Sequence, residues 1–264
     1  MISNFKKLFR YRELLFSLTK KELKVKYRGS VLGFFWSLLN PVLMMLVYSF
    51  VFSIVMRQGI KDFAIFLICA LLPFNFLSNS INYSAGSIIS NANLVKKIYF
   101  PKEIIPLSIV FSNLINFLLE LGVLFIILAI FRYPFYIYLY LLPLIIFIQI
   151  FLVAGFALLV SSLNVFFRDL QHLISIIMLV WFFGTPIIYQ LSMVPERFKF
   201  VMQINPMTVF ATFYRDIFYY VKYSQNFYIP PLSIIFICLG LTFFFFFLGY
   251  YIFKKLEPRF AEEI

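Results

Sequence analysis

The chain has 264 residues, 63% of them hydrophobic and only 13% charged, with a mean hydropathy of +0.95. Soluble globular domains carry about 25% charged residues, so this composition excludes both an ordinary soluble enzyme and a disordered chain. The net charge of +12 does not point to nucleic acid, because the basic residues cluster beside apolar runs, as in membrane proteins.

Residues 1–28 read as a cytoplasmic amphipathic helix lying at the membrane interface. Phe5, Leu8, Phe9, Leu15 and Leu18 recur at helical spacing among basic residues. Thr19 and Glu22 fit a capping box, so a second short helix is expected there, with Glu22 and Lys26 paired one turn apart.

Residues 29–264 form the membrane domain. Gly29–Met56, Phe63–Val95, Tyr133–Phe167 and Tyr223–Phe253 hold no Asp, Glu, Lys or Arg. About 20 apolar residues cross the bilayer as a helix, and a backbone in lipid must satisfy its own hydrogen bonds. The fold class is therefore an all-α membrane protein. Six transmembrane helices are expected at 31–56, 63–81, 104–131, 137–163, 172–190 and 229–253. A β-barrel would need alternating strands of about 10 residues. The first apolar run exceeds a signal-peptide core of about 7–15 residues, so it is expected to remain as a span.

Sixteen of the 23 basic residues fall on the side that holds both termini. That bias puts both termini in the cytoplasm, in agreement with an even number of spans. On the same side, residues 93–106 read NLVKKIYFPKEIIP. Lys96, Lys97 and Lys102 keep this loop out of lipid, while Ile98, Tyr99 and Phe100 give it an aromatic face. Pro101 and Pro106 fix its turns. A segment of this kind docks in a protein groove or rests at headgroup level. On the opposite side, Pro186, Pro195 and Pro206 divide residues 186–228 into two short apolar helices. These are expected at the outer interface or dipping into it, with Glu196 and Asp216 paired to Arg197, Lys199 or Arg215.

Motif chemistry is sparse. The chain has no phosphate-binding GxxxxGK[ST] loop, no HExxH and no GxSxG, so no catalytic residue, metal site or cofactor is assigned to it. Cys69 and Cys238 lie inside apolar runs and read as small buried hydrophobes. His172 stands alone. Glu120 is the acid that falls inside a span, where it must face a cavity, a proton path or a partner helix. Tyr48, Phe52, Trp181, Phe182 and Tyr189 lie in the outer halves of spans one and five. Their rings suit sugar C–H faces, and an interfacial aromatic belt predicts the same residues.

Four ordered blocks carry a family resemblance. They are residues 11–57 with KYRGSVLGFFW and its following NP, residues 93–107 (NLVKKIYFPKEIIPL), Asn164–Leu170 (NVFFRDL) and Ile204–Thr208 (INPMT). With these, the chain resembles the permease subunit of type 2 ABC exporters for lipid-linked polysaccharides: O-antigen, capsule and teichoic-acid exporters. The resemblance implies a homodimer worked by two copies of a separate ABC ATPase that binds ATP and Mg. It implies a coupling helix over about 94–103, carried by Lys96, Lys97, Ile98, Tyr99, Phe100, Pro101 and Lys102. It implies outer gate helices over about 191–222. It places Lys24, Lys26, Tyr27 and Arg28 where a polyprenyl-pyrophosphate-linked polysaccharide leaves the inner leaflet, and the five aromatics along the polymer channel. The expected function is O-antigen-like export across the inner membrane, as part of lipopolysaccharide biosynthesis. Export of capsule, teichoic acid, drug or lipid is the alternative within this class. A membrane-embedded polyprenyl-linked glycosyltransferase, a channel and a secondary transporter are the alternatives outside it.

Overall fold

The computed structural model describes residues 10–30, 32–33, 35–55, 59–223 and 230–264. Every regular element among them is helical, as lipid demands of a backbone that has no water to bond. The interface helix α1 spans Arg12–Lys26. Phe5, Lys6, Lys7, Leu8 and Phe9, which belong to its predicted beginning, lie outside the described residues. Leu18 is buried, as its spacing predicts. Thr19 does not open a second helix. It sits buried in the middle of α1, and its hydroxyl donates to the Leu15 carbonyl (2.8 Å), a bond made inside a continuing helix. Glu22 meets its neighbour Lys21 (3.8 Å), while Lys26 turns toward the span behind it.

The chain enters the membrane domain through two tight turns, at Gly29 (φ +77°) and Gly33 (φ +49°). This is backbone that glycine adopts without a steric penalty. Helix α2 (Phe35–Ser49) continues as a π-helical stretch over Phe50–Val55. Helix α3 is Phe63–Ala85, and the short α4 is Ala92–Lys97. Helices α5 (Ile104–Ile130) and α6 (Leu142–Phe166) are long spans. Helix α7 is Leu170–Phe183. A hairpin of α8 (Glu196–Ile204) and α9 (Pro206–Arg215) follows. Helix α10 (Leu232–Leu256) leads into a terminal turn, α11 (Phe260–Glu263).

Five helices among the described residues are long and apolar enough to cross a bilayer. They fall within a few residues of predicted spans one, two, three, four and six. The fifth predicted span, 172–190, is shorter than expected. Helix α7 has 14 residues and reaches about 21 Å, less than the hydrocarbon thickness of about 30 Å. It stops at Gly184, whose N–H returns to the Val180 carbonyl (2.8 Å), two residues before Pro186. The hairpin α8–α9 follows at this point.

Helix α3 is the centre of the bundle. Phe66, Leu67, Ala70, Leu72 and Leu77 have no exposure, because α2, α5, α6 and α9 surround it. Its first half, residues 63–74, is apolar all round, as a buried helix must be; its second half carries Asn75, Ser78, Asn79, Ser80, Asn82 and Ser84. Helices α6 and α10 form the closest pair. A Cβ on Gly155 would lie 2.6 Å from the Phe246 backbone, and one on Gly249 would overlap the Gly155 carbonyl. In lipid such contacts carry helix association, since there is no hydrophobic drive between spans. Cys69 and Cys238 are buried and free, as expected of small hydrophobes.

Candidate coupling site and transport path

The proline-flanked loop is built as a free tip on a buried root. Helix α4 covers Ala92–Lys97, so the coupling helix predicted over 94–103 is helical only in its first part. Ile98 is extended (φ −124°, ψ +134°), and Phe100 precedes Pro101, which disfavours helical backbone at the residue before it. The seven predicted residues then divide. Lys96, Lys97 and Ile98 are exposed, and Tyr99 is 96% exposed. Phe100 is only 5% exposed and packs among Val95, Ile104, Ile105, Phe253 and Phe260. Pro101 and Lys102 are half-buried. Tyr99 and Phe100, read together in the sequence as one docking face, are therefore a tip and an anchor. Beside them is a cleft of about 750 Å³, lined by Tyr11, Lys97, Tyr99, Lys102, Lys254 and Glu257.

The root is also tied to the far end of the chain. Glu103 is 1% exposed, and Lys254 Nζ donates to its Oε2 (2.8 Å) and to Glu257 Oε2 (2.9 Å). Glu257 Oε1 accepts the Lys102 backbone N–H (3.1 Å), and the Glu257 carbonyl accepts Lys102 Nζ (3.3 Å). Nothing in the sequence marks this partner for Glu103, because Lys254 stands 151 residues away.

A second polar site joins α1 to α5. Asn113, Asn116 and Glu120 share one face of α5, spaced three and four residues apart. Lys26 Nζ reaches Asn113 Oδ1 (3.5 Å) and lies 5.5 Å over the Tyr83 ring. The Tyr27 hydroxyl donates to Asn116 Oδ1 (3.0 Å). The Lys26 charge also acts on Glu120 across this face, without a direct ion pair between them. Lys24, Lys26 and Arg28 are all exposed, Lys26 even as its ammonium reaches toward Asn113. Of the four basic and aromatic residues singled out here, two face the third span and two point outward.

The five aromatics of the expected channel are half-buried, and each has a contact within the chain. Tyr48 stacks on Phe52 (6.3 Å), which meets Phe63 (5.4 Å). Phe182 lies edge-on to Phe74 (5.5 Å). The Tyr189 hydroxyl donates to the Phe183 carbonyl (2.6 Å). Trp181 Nε1–H donates to Asn205 Oδ1 (2.8 Å).

Asn205 is the corner of the α8–α9 hairpin. Its Oδ1 also caps α9 by accepting the Met207 N–H (3.0 Å), and its Nδ2 donates to the Gly184 carbonyl (3.0 Å) and Thr185 Oγ1 (2.9 Å). A second tie lies deeper. Tyr214 donates to Gln149 Oε1 (2.8 Å), and Gln149 Nε2 donates to the Pro73 carbonyl (2.8 Å). Arg215 is buried and donates to the carbonyls of Phe66 (3.1 Å), Pro186 and Ile187, with its guanidinium 3.5 Å over the Phe66 ring. Of the ion pairs expected here, Glu196 meets Lys199. Asp216 is buried, and its Oδ2 has no hydrogen-bond partner. A cavity of about 500 Å³ opens between α8, α9 and the start of α10, lined by Gln203, Thr208, Thr212, Asp216 and Tyr220.

Asp62 closes this end. Its Oδ2 accepts the hydroxyls of Tyr133 (2.6 Å) and Tyr223 (2.7 Å) and lies 3.3 Å from Lys222 Nζ. The Tyr133 and Tyr223 hydroxyls hold its carboxyl below the usual range. None of these partners could be assigned from spacing. The nearest of them in the chain lies 71 residues away.

Helical spans, a tip rooted in the bundle and a helical hairpin at the opposite end are the build of a membrane transport subunit. Residues 13–219 match the family described as "ABC-2 type transporter", and the chain belongs to that family, whose members are transport components. It is 39% identical to "O-antigen export system permease protein RfbA" of Myxococcus xanthus, over 83% of this chain and 85% of that one. It is 36% identical to the protein of the same name from Klebsiella pneumoniae, over 95% of this chain and 94% of that one. "Polysialic acid transport protein KpsM" of Escherichia coli is 30% identical over 30% of this chain and 31% of its own.

Proposed function

We propose that this chain is the membrane subunit of an ATP-driven exporter that moves O-antigen-class polysaccharide across the bacterial inner membrane. Two copies form the pathway, and two copies of a separate ABC ATPase supply ATP and Mg chemistry from the cytoplasm, where both termini lie. The observation that carries the reading is the Tyr99 tip, almost wholly exposed above a buried Phe100. A large aromatic held in solvent on a rooted loop is an anchor waiting for a groove. Family membership supports the ATPase partner, and the O-antigen permease relatives support the substrate class.

Each residue set then takes a role. The ATPase grips Tyr99, with Lys96, Lys97, Ile98, Pro101 and Lys102 around it. Its closure on ATP displaces the root and with it α3 and α5, the spans that flank the loop. ATP shifts the equilibrium only by binding one transporter state better than the other. Lys24 and Arg28 offer exposed cationic groups to a polyprenyl pyrophosphate among the membrane lipids, while Lys26 and Tyr27 hold α1 against the third span. Tyr48, Phe52, Trp181, Phe182 and Tyr189 line the path with rings that grip sugar faces weakly enough to let a polymer slide. A capsular polymer is the second reading, favoured by the polysialic acid relative but over a much shorter stretch.

The test is to purify the tagged chain from its native cells, identify any ABC ATPase that copurifies, and follow surface O-antigen in intact cells. The ATPase is expected to copurify, and Tyr99→Ala is expected to abolish export while ATP hydrolysis persists. A chain that never retains an ATPase, or a Tyr99→Ala variant that exports normally, would overturn the proposal.

A further inference from the structure

We infer that the C-terminal end of the last span is a working part of the coupling apparatus, with Lys254 and Glu257 as its positioning residues. The inference rests on the reading of Tyr99 as the ATPase contact. Its own ground is the network beneath that tip. Lys254 bridges two carboxylates, the buried Glu103 and Glu257. Glu257 in turn accepts the backbone N–H of Lys102, just before α5 begins at Ile104. The Ile104 and Ile105 N–H groups are met by the loop's own carbonyls, those of Pro101 and Lys102, whereas the Lys102 N–H, outside the helix, takes its acceptor from the tail. Phe260 of α11 has no exposure. Its ring lies 5.3 Å from Phe253 and 5.9 Å from Lys102 Nζ.

The consequence is mechanical. A push on Tyr99 reaches α3 and α5 through the chain itself. Through Glu257 and Lys254 it also reaches α10, which is locked to α6 where Gly155 and Gly249 bring the two backbones together. The loop therefore drives four spans, two of them through α10, whose side-chain link to the loop a charge change can cut without touching the tip. Lys254 is bonded to one carboxylate on each side of this joint, so the tail moves with the loop.

The experiment compares Lys254→Met, Glu257→Gln and Lys254→Arg with Tyr99→Ala in the full chain, coexpressed with its ATPase. It reads the amount of assembled complex and the ATP hydrolysed per polymer exported. Lys254→Met and Glu257→Gln are expected to assemble in normal amount and to raise ATP per polymer roughly fivefold or more, the span of a typical coupling energy. Lys254→Arg, which keeps the charge and both carboxylate contacts, is expected to restore the wild-type ratio. If Lys254→Met fails to accumulate, Glu257→Gln carries the test, because its amide oxygen still accepts the Lys102 N–H. A wild-type ratio in both variants, with Tyr99→Ala uncoupled, would overturn the role of the tail alone. So would export and hydrolysis that fall together in proportion to folded protein. A silent Tyr99→Ala would overturn the reading of the tip, and the tail's role with it.

Discussion

Both ends of the bundle bind a cation, the buried Arg215 at one and the half-buried Lys254 at the other, and they satisfy it with different groups. At the hairpin end, Arg215 donates to three main-chain carbonyls, one on α3 and two in the loop after α7. At the tip end, Lys254 donates to two side-chain carboxylates. Carbonyls of packed backbone cannot rotate away, so the Arg215 site holds its elements in one arrangement. Carboxylates on flexible stems can exchange partners, so the Lys254 site can hold a joint that moves. The difference suits a transport protein, which needs one part held firm and another free to shift.

The largest effect should come from cutting the rigid end. Arg215→Met leaves the Pro186 and Ile187 carbonyls without donors, each worth about 1–3 kcal/mol, strips the Phe66 carbonyl of its second partner, and is expected to prevent accumulation of folded protein in membranes. Arg215→Lys should rescue it poorly, since an ammonium cannot reproduce the planar fork. Normal yield and thermal stability of Arg215→Met would contradict the rigid-end assignment.

Next comes the root of the tip. Phe100→Ala removes a buried ring and should cost about 3–5 kcal/mol, seen as a lower inactivation temperature in detergent. Tyr99→Ala, one residue earlier, should leave that temperature unchanged, within about 0.5 kcal/mol. Equal losses for the two would dissolve the distinction between tip and anchor. The seam that joins the two ends follows. Gly249→Ala places a methyl on the Gly155 carbonyl, so α6 and α10 must separate, at about 1–3 kcal/mol. Serine at the same position should be no better tolerated than alanine.

The smallest effect is at Asp62, part of whose carboxylate meets solvent. Asp62→Asn should cost about 0.5–1 kcal/mol. Because hydrogen bonds depress the folded pKa, the stabilisation is present above the unfolded value of about 3.9 and is lost as pH falls through the lower folded value. The wild type and Asp62→Asn should therefore run parallel from pH 5 to 8 and converge only in stronger acid. Divergence near neutrality would point to a different titrating group.

Legibility from sequence followed the range of the forces involved. Tyr99 and Phe100 could be found from local composition, because prolines and lysines mark a loop wherever it folds. Their opposite fates could not, because Phe100 is buried by Phe253 and Phe260 from the other end of the chain. The same holds for Glu120, seen as an anomaly in its span but given a nearby charge only by α1. Thr19 was misread because a capping box and a back-bonded mid-helix threonine share one pattern, and continuous packing along α1 decides between them.

What the sequence determined by itself was the solvent of each segment: charge-free runs must leave water, and lysine-rich loops must stay in it, since the transfer cost is paid residue by residue. What only the tertiary structure decided was pairing. Which carboxylate meets Lys254, which carbonyls meet Arg215, and which of two adjacent aromatics faces outward depend on groups brought together from distant parts of the chain, and their energies exist only once the helices have packed.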